Sequence, residues 1–231
     1  KESTRSPYPP FITSSLQQDA ARRLYFSSKQ TMMIAQQLYE GIPLGTKGQT
    51  GLITYMRTDS TFLSGDALRM ATEQIAKHCG DGYTLAQPRM FKTKSKSAQE
   101  AHEAIRPTDP SLHPDEIKAY LDEQQFKLYN LIWRRFIASQ MKPAVFQNTT
   151  VSILDQEESK YTFTAKGKIQ TFDGFMKVYD LKSEDALLPD IHKDETLDVH
   201  DIVGNQHFTQ PPGRYTESGL VKALEKNEIG R

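Results

Sequence analysis

Cysteine is almost absent: Cys79 is alone among 231 residues, which excludes an intrachain disulfide and fits a reducing compartment. Neither sign of charge dominates, with 29 basic residues against 29 acidic ones. A chain-wide basic coat for nucleic acid is therefore excluded, and any polyanion must be met by local patches. No apolar run approaches the roughly 18 residues a membrane span needs. Lys1-Glu2-Ser3-Thr4-Arg5-Ser6 lacks the apolar core of a secretion signal, so the expected location is cytoplasmic, with no membrane partner. Internal repeats and low-complexity tracts are missing too. What is present is a polar globular composition, 37% hydrophobic with a mean hydropathy of -0.62. At roughly 100–200 residues per domain, it has room for one large domain or two ordinary ones.

Taken in order, residues 1–11 are polar and then proline-rich (Pro7, Pro9, Pro10), which predicts an extended linker. Ser14 with Gln17, and Ser27 with Gln30, fit the capping box that opens a helix. The first predicted helix carries Leu16, Ala20 and Leu24. The second carries Met33, Gln37 and Tyr39 and stops at Gly41. Such a pair serves either as a packing unit or as a helix-turn-helix on DNA. Gly45, Gly48 and Gly51 read as a loop without the Walker spacing. A third helix is predicted from Ser64 to Gly80.

Arg89, Lys92, Lys94 and Lys96 make a locally basic stretch, either a solvated loop or a phosphate-contacting segment. Pro114 suits a first helical position. Phe126, Tyr129, Ile132, Trp133, Phe136 and Ile137 recur at helical steps and predict a core helix in which Trp133 packs, with Arg134 and Arg135 on its polar side. After Pro143 the period becomes two: Val151 and Ile153, then Tyr161, Phe163 and Ala165, then Leu197 and Val199, predict a half-buried antiparallel sheet. Residues 181–195 read as a charged loop. Thr216 caps a last helix carrying Leu220 and Leu224. The expected fold is α+β: a helical domain over 12–142, an antiparallel β segment over 143–213, and the start of a further helical domain at 214–231.

Gly51-Leu52-Ile53-Thr54-Tyr55-Met56-Arg57-Thr58-Asp59-Ser60 carries the chemistry. Read as a strand, it puts Ile53, Tyr55 and Arg57 on one face. A phenol is a poor nucleophile at neutral pH, and a neighbouring guanidinium favours its anion while gripping a phosphate through two parallel hydrogen bonds. The pairing suits attack on a phosphodiester, although a tyrosine two residues from an arginine is also an ordinary half-buried strand pattern. Ala98–Ile105, read as a helix with Pro107 ending the element, puts His102 and Arg106 four apart on one face.

Read as a block, residues 51–60 resemble the active-site tyrosine motif of type IA DNA topoisomerases. Three further blocks agree in order: Leu16–Ala20 with Thr31–Gly41, Ala101–Thr108, and Arg214–Glu217 running to Ile229-Gly230-Arg231. The resemblance covers nearly the whole chain. It implies that Tyr55 attacks one DNA strand, forms a 5′-phosphotyrosine bond and releases a 3′-hydroxyl. The other strand then passes and the break is religated without ATP. It implies catalytic roles for Tyr55, Arg57 and His102, the last as hydrogen-bond donor or proton relay, and a charge clamp on the scissile phosphate at Arg106; Lys92, Lys94 and Lys96 of the basic stretch and Arg214 are the further DNA-contact candidates. It also implies Mg2+ held by a Toprim domain, which nothing in this sequence resembles. A Pro-Ser-Thr-Tyr segment after Arg231 and zinc-binding cysteines are missing as well. Gly213 and Asn227-Glu228 depart from the commoner family residues. The expectation is therefore a fragment, inactive alone and completed by the Toprim region, with a non-catalytic DNA-binding helical module as the alternative. A third reading is an interaction scaffold that binds no DNA.

Overall fold

The computed structural model describes residues 1–91, 102–155, 161–181, 185–227 and 229. Glu2–Arg5 form strand β1, and helices α1 (Thr13–Leu24) and α2 (Ser28–Glu40) follow. Ser27 caps α2 by accepting from the Gln30 amide at 3.1 Å. Helix α1 begins earlier than Ser14 would have it. Ser15 Oγ accepts from the Ile12 amide at 3.0 Å, and Thr13 is the first helical residue. The inward face of α2 is Thr31, Ile34, Ala35 and Leu38, so Met33 and Tyr39 point outward, 54% and 41% exposed.

Strands β2 (Ile42–Pro43) and β3 (Gln49–Thr50) pair as a small hairpin, followed by α3 (Gly65–Cys79), capped by Ser64. Next come the one-turn α4 (Pro114–Ile117) and the long α5 (Glu123–Ser139). Asp122 and Gln125 close a reciprocal capping box at the start of α5, at 2.8 and 3.1 Å. Leu128, Tyr129, Ile132, Trp133, Phe136 and Ile137 are buried on one stripe, and α5 packs against α1, α2, α3 and α4. The buried polar atoms of that stripe find partners. Tyr129 donates its hydroxyl to Leu112 O at 2.8 Å and Trp133 donates Nε1 to Pro110 O at 2.9 Å. Trp133 therefore packs, as its spacing predicts.

Arg135 does not lie on the polar side of α5: it is 7% exposed. Its guanidinium donates to Pro9 O at 2.6 Å, reaches Asp19 Oδ2 at 3.4 Å, and lies over the rings of Tyr8 and Phe11. Asp19, 3% exposed on α1, also accepts from Arg22 and from the hydroxyl of Tyr179. A buried cation is tolerable only when paired in this way. Burial pushes the Tyr179 hydroxyl up to about 12, with the Asp19 carboxylate adding to the rise.

Strands β4 (Ala144–Leu154) and β5 (Thr162–Phe172) pair antiparallel, and β1 adds to the far edge of β4, giving the order β1-β4-β5. Part of the expected linker is thus a strand, and Pro7, Pro10 and Phe11 beyond it are buried. At the base of the hairpin, Gly174 has φ +51° and a built Cβ would stand 2.4 Å from Pro143 O, so only glycine fits that crossing. Further out the hairpin is more exposed than a half-buried sheet, with Tyr161 at 60% and Phe163 at 52%. Leu197 and Val199 form no strand; both are exposed, and no strand among the described residues pairs with them. Helix α6 (Glu217–Lys226), capped by Thr216, packs on α1, where Gln18 donates to Glu225 at 3.3 Å, and meets the start of α2, where Ser28 N donates to Glu217 Oε1 at 2.9 Å. Among the described residues no helix is long and apolar enough to cross a membrane.

Candidate active site

Gly51–Ser60 is a pinned arch instead of a continuous strand. Ile53 pairs with Pro107, and the chain then bends at Thr54 and again at Met56–Arg57. The bend puts Ile53 in the core at 1% exposure, so it does not share a face with Tyr55. Beyond it the alternation holds: Tyr55, Arg57 and Asp59 face outward while Met56, Thr58 and Ser60 are buried.

Two threonines hold the arch. Thr54 donates its amide to Arg106 O at 2.9 Å and its hydroxyl to Ala104 O at 2.7 Å, and its hydroxyl accepts from the Arg106 amide at 3.0 Å. Thr13, the first residue of α1, donates its hydroxyl to Met56 O at 2.8 Å, and its Oγ1 accepts from the Thr58 amide at 2.9 Å. Leu52 N donates to Leu38 O on α2 at 2.7 Å, and a Cβ on Gly51 would meet Tyr39 O at 2.8 Å. Tyr55 is therefore displayed on a short span with both feet tied.

His102–Thr108 is extended, not helical; the other residues of that predicted helix, 98–101, lie outside the described residues. Its backbone is drawn straight by pairing, Ile105 with Phe11 and Pro107 with Ile53, which leaves no ladder for a helix. His102 comes beside the nucleophile candidate, its ring centroid 6.1 Å from that of Tyr55 at an interplanar angle of 34°. Tyr39 meets Tyr55 edge-on from α2, at 5.4 Å and 64°. Tyr55 is 40% exposed, and its hydroxyl bonds to none of the described residues.

The two arginines differ. Arg106 is sequestered: Nε and Nη2 donate to Glu103 Oε2 at 2.9 and 2.5 Å, and Nη1 donates to Pro107 O at 2.8 Å. Glu103 in turn accepts from the Ser64 amide at 2.7 Å. Burial works to raise the Glu103 carboxyl, but Ser64 and the Arg106 guanidinium outweigh it and hold it below the usual range. Arg57 is exposed and makes no ion pair or hydrogen bond with the described residues, so its charge is open to an anion. Arg89 belongs to the framework: it donates to Ser139 O at 2.7 Å and Met141 O at 2.9 Å, and burial lowers its pKa. Lys92, Lys94 and Lys96 lie outside the described residues. Arg214 is exposed just before α6, and no contact with a described residue ties it to Tyr55.

Sequence reasoning missed Tyr39, Thr13, Thr54 and Glu103. Tyr39 and Glu103 lie inside the quoted blocks, and a phenol ending a helix one short hairpin before Tyr55 was the available signal. Among the described residues no three His, Cys, Asp or Glu side chains come together as metal ligands. These residues do not fit a divalent cation.

Comparison with known proteins bears on the whole chain. DNA topoisomerase 1 of Rickettsia felis is 50% identical over all of it, that of Xylella fastidiosa 48% and that of Campylobacter jejuni 46%. The chain spans about 30% of the length of these curated relatives. The solved full-length topoisomerase I of Thermotoga maritima superposes with a TM-score of 0.80 at 36% identity, covering 100% of this chain and 37% of that one. A family model described as DNA topoisomerase matches residues 1–231. The chain belongs to the DNA topoisomerase family, of type IA, and its mixed helices and antiparallel strands are that family's α+β architecture.

Proposed function

We propose that this chain is the tyrosine-bearing part of an enzyme that cleaves and rejoins one DNA strand, and that Tyr55 is its nucleophile. The observation that carries the reading is an exposed phenol on a pinned arch, whose hydroxyl bonds to none of the described residues, two residues from a guanidinium with no partner among them. In the cleavage step the Tyr55 oxygen bonds to phosphorus while the bond to the preceding nucleotide's 3′ oxygen breaks. That oxygen takes up a proton and leaves as the 3′-hydroxyl. Arg57 offsets the charge that builds on the phosphate, the largest contribution such a site makes. His102, beside the phenol ring, donates to the phosphate or relays the phenolic proton. Religation reverses the step, and the retained phosphoester makes ATP unnecessary.

Mg2+ belongs to this reading as a cofactor bound outside the chain, in a Toprim region of the longer polypeptide. The other partner is DNA with single-stranded character, met in negatively supercoiled duplex, in the bacterial cytoplasm. Lys92, Lys94, Lys96, Arg106 and Arg214 are assigned to its backbone, and Arg106 must exchange Glu103 for a phosphate to serve. Relaxation of negatively supercoiled plasmid by the full-length protein tests the reading. Tyr55→Phe should abolish it while DNA affinity stays within about twofold. Relaxation at the parent rate would sink the nucleophile and leave a DNA-binding module.

A further inference from the structure

We propose that Tyr39 is a positioning residue for the Tyr55 phenol, an inference that rests on Tyr55 being the nucleophile. The ring of Tyr39 stands edge-on to that of Tyr55 at 5.4 Å and 64°, within the range of favourable T-shaped pairs. His102 lies on Tyr55 as well, at 6.1 Å. Without Tyr39, the described residues offer the Tyr55 ring no other aromatic partner than His102. Its hydroxyl has no hydrogen bond among them to fix the side-chain torsions, and 40% of the residue is exposed. An unconstrained phenol would sample several rotamers, only some of which aim its oxygen at a phosphate.

The backbone supports the same role. Leu38 O accepts from Leu52 N at 2.7 Å, and Gly51 lies so close to Tyr39 O that a Cβ would stand 2.8 Å from it. The last turn of α2 is thus both the platform under the arch and the source of the ring that meets the nucleophile. Tyr39 is 41% exposed on the outward face of α2, so core packing does not account for an aromatic there. Its edge contact with Tyr55 does. Reacting groups held in a near-attack geometry gain rate without gaining affinity, so the effect should fall on the chemical step.

The test is single-turnover cleavage of a saturating 5′-labelled single-stranded oligonucleotide by the full-length protein. Tyr39→Phe keeps the ring edge and should cleave within about twofold of the parent. Tyr39→Leu keeps apolar bulk without a ring, and Gly51→Ala pushes the arch off its platform. Both should cut the cleavage rate roughly three- to tenfold at unchanged oligonucleotide Kd, and Tyr39→Leu should do so at unchanged melting temperature. Tyr39→Leu at the parent rate would overturn the proposal. So would a loss confined to Kd, which would make Tyr39 a DNA contact, or a failure of Tyr39→Phe to cleave. Tyr55→Phe is run alongside: if it still cleaves, the nucleophile reading falls, whatever Tyr39 does.

Discussion

Arg57, Arg106 and Arg135 hold the same charge in three different situations, and burial and partners decide what each can do. Arg57 keeps its charge available, Arg106 spends its donors on Glu103 and two carbonyls, and Arg135 is locked into the core by Asp19. The last pair makes a stability test. Asp19→Ala leaves the Arg135 guanidinium buried without its carboxylate, and the unfolding free energy should fall by about 3–5 kcal/mol. Chemical denaturation of the chain measures it, and a loss under about 1 kcal/mol would mean that water reaches Arg135. Nothing local distinguishes Arg135 from Arg134 in the sequence. They are adjacent on α5, and the partner that draws one inward lies 116 residues away. That Tyr55 and Arg57 share a face is legible in the local alternation, whereas the exposure of Tyr55 is set by the fold around it.

At the scale of elements, helices α3, α5 and α6 follow from their caps and apolar spacing, since those signals act over a few residues. The two segments that build the site do not. The run Leu52-Ile53-Thr54-Tyr55 reads as a strand by composition, but the Thr13 hydroxyl and the carbonyls of 104–106 bend it, and these partners are more than 40 residues away. Ala98–Ile105 reads as a helix by its spacing, but its described part from His102 on is extended, because Phe11 pairs with Ile105 and Ile53 with Pro107. The Glu103–Arg106 clasp beside these pairings should make the site sensitive to acid. The Glu103 carboxyl is depressed in the folded state, so its stabilising contribution is complete above its unfolded value of about 4.3. That contribution is lost as pH falls through the lower, folded value. Denaturation midpoints between pH 3 and 7 should therefore drop at the acid end, and Glu103→Gln should flatten that drop. An identical profile in the variant would remove Glu103 from the account.

On the scale of the whole molecule, the helical body and the β segment meet where Gly174 packs on Pro143, Phe175 N donates to Lys142 O at 2.9 Å, and Phe146, Phe175 and Tyr179 enter the shared core. We propose that the β segment, 143–213, acts as a hinge that swings the helical body, 12–142, away from parts of the protein beyond this chain. A disulfide bridging the two sides of that hinge in the full-length enzyme should block plasmid relaxation while leaving oligonucleotide cleavage intact. Relaxation at the unlocked rate would refute the hinge. Helix α6 packs on α1, joined by Glu225 at Gln18, and reaches the start of α2 through Glu217 at Ser28. The measurement that bears most directly on the central claim is to trap the full-length protein on a single-stranded oligonucleotide with magnesium, digest it, and map the nucleotide-bearing peptide by mass spectrometry. The account expects the adduct on Tyr55, through its phenolic oxygen and a 5′-phosphate. An adduct on any other residue, or cleavage with none, would contradict it.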